Sequence, residues 1–324
     1  MPSACTIVTE RLPDGRFRAT CHLLPDAEAV AETAEAARTA LESALDRHFR
    51  DRDLAGANPI DAVFRKLRAA GRKAFMPFVT AGDPDLDTTG RLLRRLAESG
   101  ASLIEVGFPY SDPIADGPVI QASYTRALEK GLQLDQIFEW AKQAAPTVPV
   151  PLVAMVSYSL VHRRGPEQFL RQAQGAGFAG AIVPDLPVDE AEALAQLAAA
   201  RDFKLSQLVT PTTPPDRAAR IVRQSAGFVY CVSVAGITGE RDRLPEQLHD
   251  QLRRLRQETD LPLCVGFGVS KPEHVRMLRD HVDGVIVGSA IVRRLENVTR
   301  ESADRAIAEV GELVRTLSNT LNEV

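Results

Sequence analysis

Glu105 and Asp116 are the two residues whose types and spacing best suit acid–base chemistry. Glu105 interrupts an apolar run at residues 103–106, which is typical of a strand buried on both faces in a parallel sheet. We expect a carboxyl group there to open onto a cavity or to have a shifted pKa, because burying an unpaired charge is costly. Asp116 follows in a loop stiffened by three prolines, which returns it toward the end of the same strand. The sequence therefore predicts a catalytic pair of carboxyl groups.

Structural roles are the alternative for the acidic residues of this stretch. Asp112, next to Pro113, and Asp116 could shape the loop by accepting hydrogen bonds from nearby backbone N–H groups. Glu105 could form a structural salt bridge within the sheet, although charged residues are rarely buried without a task. The sequence leaves these alternatives open.

Glycine-rich segments late in the chain predict a phosphate site. Residues 266–270 and 288–290 follow the seventh and eighth strand-like runs, and Gly236 and Gly239 follow the sixth. Glycine lets the backbone approach an anion closely, so that N–H groups and a helix N-terminus can point at it. One Gly-x-Gly pattern alone indicates only a turn, but (β/α)₈ barrels bind phosphate in the loops after strands seven and eight.

Strand-like runs that alternate with helical patterns must position these groups. The runs lie at 75–80, 102–107, 150–156, 180–184, 204–209, 228–234, 262–266 and 283–287. Eight such units predict a (β/α)₈ TIM barrel, an α/β fold whose active sites lie at the carboxyl ends of the strands. A doubly wound sheet is the alternative, but no Gly-x-Gly-x-x-Gly pattern follows the first strand, which argues against a dinucleotide site.

Residues 1–55 have a different pattern and are predicted to form a small ββα module and linker, separate from a catalytic domain at 56–324. Two strand-like runs at 6–12 and 17–23 flank a hairpin-turn signal, Pro13-Asp14-Gly15. A helix is predicted after Asp26, where apolar residues recur at helical spacing: Val30, Ala34, Ala37, Leu41, Leu45 and Phe49. The module weakly resembles the ββα modules of the HicB antitoxin type. A local addition that packs against the barrel and binds nothing is the alternative.

Composition excludes several classes of protein. The net charge of −4 offers no basic surface for nucleic acid, and no apolar run is long enough to cross a membrane. The four cysteines show no Cys-x-x-Cys spacing and the six histidines form no ligand cluster, so we expect neither a metal nor a cofactor. With no signal peptide recognisable at the start, a cytoplasmic location is predicted.

Three motifs closely resemble those of the tryptophan synthase α subunit family. They are IEVGFPYSDPIADGP at 104–118, PFVTAGDP at 77–84 and GITG at 236–239, within a resemblance that covers roughly residues 58–324. The resemblance implies a lyase of tryptophan biosynthesis. Its reaction would be the retro-aldol cleavage of indole-3-glycerol phosphate to indole and glyceraldehyde 3-phosphate. The family's α subunits work with a β subunit, which implies an α₂β₂ complex.

The resemblance also implies roles for single residues. Glu105 would transfer the proton, and Asp116 would hold the indole N–H. The matching substrate residues are Phe78 and Tyr230 in the indole pocket, Thr238 in a lid, and Gly239, Gly268, Gly288 and Ser289 around the phosphate. Either aromatic residue could equally be plain core.

Two departures from the family pattern leave other functions open. The chain has Ser157 and Ser159 where the family carries a Tyr-Tyr-Asn-like run, and Glu240 where it has a small residue. Both regions serve the family in contact and signalling with the β subunit. A stand-alone lyase that releases free indole is therefore one alternative. Another is a non-catalytic barrel scaffold with an N-terminal binding module, although the presence of both acids argues against it.

Overall fold

The computed structural model describes residues 7–21, 24–41, 58–113, 116–233, 246–266, 268–299 and 301–323. The chain divides into two compact units, Met1–Ala57 and Asn58–Val324. The predicted linker at 51–57 lies outside the described residues. That residues 1–55 form a module separable from the catalytic domain stays a prediction.

The N-terminal unit contains a small antiparallel sheet followed by a helix. Its strands are β1 (Ile7–Arg11), β2 (Phe17–Cys21) and β3 (Leu24–Ala31), in the order β1-β2-β3, and helix α1 is described over residues 34–41. The predicted hairpin turn is confirmed, with Gly15 in the left-handed region at φ +92°. The described unit thus has one strand more than the predicted ββα module.

The predicted helix start after Asp26 is wrong, because that segment belongs to β3. Its alanines and Glu28 favour a helix locally, but pairing with β2 overrides this preference. Arg18 on β2 strengthens the pairing through ion pairs with Glu28 on β3 at 3.3 Å and Glu10 on β1 at 3.4 Å. Ala37 and Leu41 are fully buried, as the helical stripe predicted. Val30 instead lies in β3 and is exposed, and Ala34 is half-buried. Leu45 and Phe49 lie outside the described residues.

The second unit is a (β/α)₈ barrel, and all eight predicted strands are confirmed. The strands are β4 (Ala74–Thr80), β5 (Ile104–Gly107), β6 (Leu152–Met155), β7 (Phe178–Ile182), β8 (Lys204–Ser206), β9 (Leu208–Val209), β10 (Val229–Val232), β11 (Leu263–Gly266) and β12 (Gly284–Val287). All of them pair in parallel, in the order β8-β7-β6-β5-β4-β12-β11-β10-β9. β8 and β9 are two parts of one barrel strand, interrupted at Gln207, so this strand closes the barrel.

Helices connect the strands and cover the barrel. Their bounds are α2 (Pro59–Ala69), α3 (Leu86–Glu98), α4 (Pro118–Glu129), α5 (Leu134–Ala144), α6 (Tyr158–Arg164), α7 (Pro166–Gly175), α8 (Ala191–Ala199), α9 (Pro215–Gln224), α10 (Glu246–Glu258), α11 (Pro272–Leu278), α12 (Ser289–Leu295) and α13 (Ala303–Asn322). A proline in the first turn starts five of them, where its missing N–H is not needed. Among the described helices, none has the length and apolar character needed to span a membrane.

The barrel strands alternate between an outer and an inner core. On β4, Phe75 and Val79 pack outward under the helices, whereas Met76 and Phe78 point into the barrel. The same alternation on β5 turns Ile104 and Val106 outward, and so places Glu105 inside the barrel.

Helix α2 closes the amino end of the barrel interior. Asn58 caps this helix by accepting a hydrogen bond from the Ile60 N–H at 2.9 Å. Its side-chain amide donates to the carbonyl oxygens of Ala179 at 2.8 Å and Asp202 at 2.6 Å, which ties the helix to β7 and to the turn before β8. Ile60 is fully buried inside the barrel. The interior is thus filled at this end, which leaves the carboxyl end for a cavity.

Removal of residues 1–55 should leave a folded barrel, because the second unit has its own core and begins at its own helix cap. We expect the truncated chain to melt cooperatively, within about 4 °C of the full chain, the shift that about 1 kcal/mol produces in a domain of this size. Circular dichroism with thermal unfolding measures this. Aggregation or a non-cooperative melt would show that the N-terminal unit completes the barrel.

Candidate active site

A cavity of about 480 Å³ opens at the carboxyl ends of the barrel strands. It is lined by these predicted site residues: Phe78, Glu105, Asp116, Tyr230, Gly268, Gly288 and Ser289. The remaining two, Thr238 and Gly239, lie outside the described residues, as does Glu240. Residues from five strands or the loops after them therefore meet at one place, although they are far apart in the chain.

Glu105 is a fully buried carboxyl group in the wall of this cavity. Neither of its oxygens has a hydrogen-bond partner among the described residues, so the alternative of a structural salt bridge finds no support there. Burial raises the pKa of Glu105 well above its ordinary value. We therefore expect Glu105 to be a neutral carboxylic acid at neutral pH, with a proton to donate.

Phe78 and Tyr124 form the immediate surroundings of Glu105. Phe78 is the direct neighbour of Glu105 across strands β4 and β5, on the same face. Gly107, the next inward position on β5, leaves the space that these rings occupy. A Cβ atom there would lie 2.5 Å from Cζ of Phe78 and 2.7 Å from the Tyr124 hydroxyl oxygen. The glycine therefore allows aromatic rings to pack beside the acid.

Tyr230 on β10 lies deep in the same cavity and is almost fully buried. Its ring packs so close to Gly266 on β11 that a side chain at that position would collide with it. Burial raises the pKa of Tyr230 well above its ordinary value, and the nearby Glu105 and Asp116 add to this effect, so the phenol is neutral. Tyr230, like Phe78, belongs to the inner core and also lines the cavity. That these two rings form an indole pocket stays a prediction.

Asp116 is a partly buried carboxylate that accepts a hydrogen bond from a neighbouring tyrosine. The Tyr110 hydroxyl donates to Oδ2 of Asp116 over 3.3 Å. Burial raises the pKa of Asp116 to about 6, the Tyr110 hydrogen bond acts against this, and the charge of Asp185 adds to it. Other groups shape the loop instead. The Asp116 N–H donates to the Pro113 carbonyl oxygen at 3.0 Å, and the Gln121 side-chain amide donates to the carbonyl oxygens of Pro113 and Asp116. Asp116 therefore keeps its carboxylate for the cavity.

The glycine positions after β11 and β12 line the cavity with backbone. Gly268 has φ +80°, in the left-handed region that favours glycine. A Cβ atom at Gly288 would point toward Phe78, 3.5 Å from its Cβ, and so into the cavity. Ser289 begins helix α12, whose first N–H groups have no partner within the helix. This part of the wall suits a small anion.

Arg293 is a cavity residue that the sequence analysis missed. It lies four residues after Ser289 on α12, a spacing that places both side chains on one face of the helix. This spacing could have identified it as a positive charge near the glycine loops. The sequence also did not predict the apolar residues that line the cavity: Val119, Ile120, Met155, Val232, Val269 and Ile286. Asp112, in contrast, is exposed and accepts a hydrogen bond from Ser111 at 2.9 Å, which suits a loop-shaping residue.

Fold and site together define a class: a (β/α)₈-barrel enzyme with carboxyl groups on its early strands and loops, and glycine loops after its last strands. The comparisons with known proteins give the family. Residues 64–322 match the sequence profile described as "Tryptophan synthase alpha chain". The chain belongs to this family, and is thus a lyase of tryptophan biosynthesis that acts on indole-3-glycerol phosphate, as the sequence resemblance predicted.

Individual relatives cover nearly all of the barrel. The tryptophan synthase alpha chain of Rhodopirellula baltica is 48% identical over 274 residues, which are 82% of this chain and 99% of that protein. The Rippkaea orientalis protein is 46% identical over 265 residues, 82% of this chain and 98% of that protein. A crystal structure of tryptophan synthase subunit alpha from Legionella pneumophila matches with a TM-score of 0.75 at 31% identity, over 83% of this chain and 100% of that one. The family match begins at residue 64, so the likeness of the N-terminal unit to HicB-type modules stays a prediction.

Glu105→Gln should stabilise the barrel at neutral pH. The folded chain binds the Glu105 proton more tightly than the unfolded chain, because burial raises the pKa of this group well above 4.5. Wild-type stability should therefore fall as the pH rises above about 4.5 toward the folded-state pKa, and glutamine removes this contribution because it does not ionise. Thermal unfolding from about pH 5 to about pH 8 measures the difference.

The matched control is Glu139→Gln on helix α5, where the carboxylate is exposed and paired with Lys142. That change should leave the pH dependence of the wild type in place. Parallel stability curves for Glu105→Gln and the wild type would mean that Glu105 ionises in the folded chain as freely as in water.

Proposed function

We propose that the cavity at the carboxyl end of the barrel binds indole-3-glycerol phosphate and cleaves it to indole and glyceraldehyde 3-phosphate. The observation that carries this proposal is Glu105, a fully buried carboxyl group without a described partner, in a cavity that glycine loops also line. A substrate that spans the cavity would meet a proton donor at one part of the wall and backbone N–H groups at another. The first suits protonation of the indole ring, and the second suits the binding of the phosphate.

One part of the cavity wall is apolar and suits the aromatic end of the substrate, and another part is polar and suits the phosphate end. Phe78, Tyr230 and the apolar side chains of the cavity suit the indole ring. Gly268, Gly288 and Ser289 suit the phosphate, because their backbone lies directly at the cavity surface. Thr238 and Gly239 are assigned to the substrate from the family resemblance alone.

Glu105 can perform both proton transfers of the reaction. As a neutral acid it donates its proton to C3 of the indole ring, which gives an indoleninium cation and a carboxylate. The carboxylate then takes the proton of the glycerol hydroxyl next to the ring. The C–C bond breaks, its electron pair returns to the indole ring, and the hydroxyl carbon becomes the aldehyde. The raised pKa of Glu105 favours this role because the acid is protonated before the first step.

Asp116 stabilises the cation that forms between the two steps. Its carboxylate can accept the indole N–H, whose hydrogen becomes more acidic when the ring is protonated. A pKa of about 6 leaves most of the Asp116 groups ionised at neutral pH, as this role requires. Glu105 and Asp116 thus have opposite protonation states in one cavity, which is a common arrangement in acid–base catalysis.

We also propose that a tryptophan synthase β subunit is the partner, in an α₂β₂ complex. A solved structure of tryptophan synthase from Mycobacterium tuberculosis is similar to this chain, with a TM-score of 0.74 at 31% identity over 83% of this chain and 100% of that one. The departures from the family at Ser157 and Ser159 lie at the start of α6, where Ser157 donates to Asp185 at 2.6 Å. They keep the stand-alone lyase open as a second candidate. High turnover of the purified chain, unchanged by added β subunit, would favour that second candidate.

Glu105→Gln should retain substrate binding and lower kcat by about 100-fold or more, the usual scale for a general acid–base group. Asp116→Asn should also lower kcat, because an amide oxygen accepts the indole N–H but does not offset the positive charge. Indole release from indole-3-glycerol phosphate measures both. Asp112→Asn is the matched control: its carboxylate belongs to the same loop but is exposed, and the rate should stay near wild type. Near-normal turnover in Glu105→Gln would remove Glu105 from the mechanism.

Gly288→Val should weaken the binding of glycerol 3-phosphate by about 10-fold or more while the fold stays intact. Gly288 has φ −111°, outside the left-handed region that favours glycine, and its Cβ direction leads into the cavity toward Phe78. The added methyl groups would therefore occupy space that the phosphate needs. Titration calorimetry measures the affinity, and Gly175→Val on the exposed end of α7 is the control. Equal affinity in both variants would place the phosphate elsewhere.

A further inference from the structure

Tyr110 lies between the substrate cavity and a second cavity of about 650 Å³. It lines the second cavity together with its neighbours Pro109 and Ser111. Its ring packs against Tyr124 with 5.5 Å between ring centroids, and its hydroxyl reaches Oδ2 of Asp116 over 3.3 Å. Tyr110 therefore contacts the acid from outside the substrate cavity, and none of the roles assigned above involves it directly with substrate.

The hydrogen bond from Tyr110 gives the two oxygens of Asp116 different surroundings. An aspartate side chain rotates about its last bond with little preference, so a carboxylate without a fixed partner turns easily. The bond to Tyr110 holds Oδ2. In the part of the chain that the structure describes, Oδ1 accepts no side-chain hydrogen bond, which leaves it for another donor. Its length is typical of catalytic hydrogen bonds in unliganded sites, which shorten when the substrate is bound.

The groups that face Asp116 act on its charge in opposite directions. Burial and the charge of Asp185, in the loop after β7, disfavour the carboxylate, whereas the Tyr110 hydroxyl favours it. The phenols of Tyr124 and Tyr230 also feel the charge of Asp116 and are themselves deeply buried and neutral. Among the described residues that act on Asp116, Tyr110 is thus the group that stabilises the ionised form.

We propose that Tyr110 is a positioning residue of the lyase reaction, whose hydroxyl holds Oδ2 of Asp116 so that Oδ1 stays turned toward the indole N–H. The inference rests on the proposed function of the cavity. Tyr110 would orient the Asp116 carboxylate and favour its ionised form without touching the substrate. The phenylalanine variant tests it well, because the ring contact with Tyr124 is kept and only the hydroxyl is lost.

Tyr110→Phe should lower kcat by about 10-fold, the scale of one hydrogen bond to a charged group, with little change in KM. It should also move the acid limb of the pH–rate profile to higher pH. Loss of the donor raises the pKa of Asp116, so fewer Asp116 groups are ionised at a given pH, and the rate recovers as the pH rises. A role in packing alone would leave the shape of this profile unchanged.

Tyr158→Phe is the matched control. This tyrosine lies at the start of α6, and its ring packs against His162 rather than against Asp116. Removing the Tyr158 hydroxyl should leave kcat and the pH–rate profile as in the wild type. A Tyr110→Phe profile that superimposes on the wild type, or an equal effect of both changes, would overturn the proposal.

A direct titration of Asp116 separates this proposal from that of the lyase reaction. Carbon-13 NMR of labelled aspartate carboxyl groups, with the Asp116 signal assigned through Asp116→Asn, should give a higher pKa in Tyr110→Phe than in the wild type. This measurement needs no substrate. An unchanged pKa would refute the role of Tyr110 even in an active lyase, whereas a wild type that releases no indole would refute the lyase proposal alone.

Discussion

The burial of one carboxyl group, Glu105, is the constraint on which the active-site end of the barrel depends. No described residue offers this group a hydrogen bond, so it stays protonated only while apolar side chains keep water away. Phe78 and Tyr230 provide much of that surrounding, and both need space that a side chain on a neighbouring strand would take. Gly107 and Gly266 leave this space open, because a Cβ atom at either position would collide with an aromatic ring.

Contacts elsewhere in the barrel position the second acid, Asp116, at the cavity. Asp116 precedes helix α4, and α4 is fixed to the loop after β4 by Arg126, which binds the buried Asp83 through two hydrogen bonds of 3.0 and 2.6 Å. Because Asp83 is buried, moving the partly exposed Arg126 away would leave the charge of Asp83 uncompensated, so the pair resists displacement. A hydrogen bond of 2.6 Å between Thr80, the last residue of β4, and Ser123 links α4 to the strand itself. The loop that carries Asp116 thus starts at a barrel strand and ends at an anchored helix.

Local pattern predicted the barrel well, because its strands are buried on both faces and so appear as apolar runs separated by amphipathic helices. The same reasoning failed at β3, where Ala27, Glu28 and Ala29 favour a helix but pairing with β2 decides the structure. It also missed Arg293 and the hydrogen bond from Tyr110 to Asp116. That bond joins two residues within one irregular loop, for which no repeating spacing exists, so pattern analysis has no signal for it.

The sequence by itself determined the order of strands and helices in the barrel, the family, and the two acids that meet at one cavity, because each depends on residue types at short or recognisable spacing. Only the tertiary structure decided the chemical state of these acids. Whether Glu105 is neutral and Asp116 largely ionised depends on burial and on neighbours from other strands and loops, such as Phe78 and Asp185. Closing the barrel brings these residues together, and desolvation acts only once they are in place.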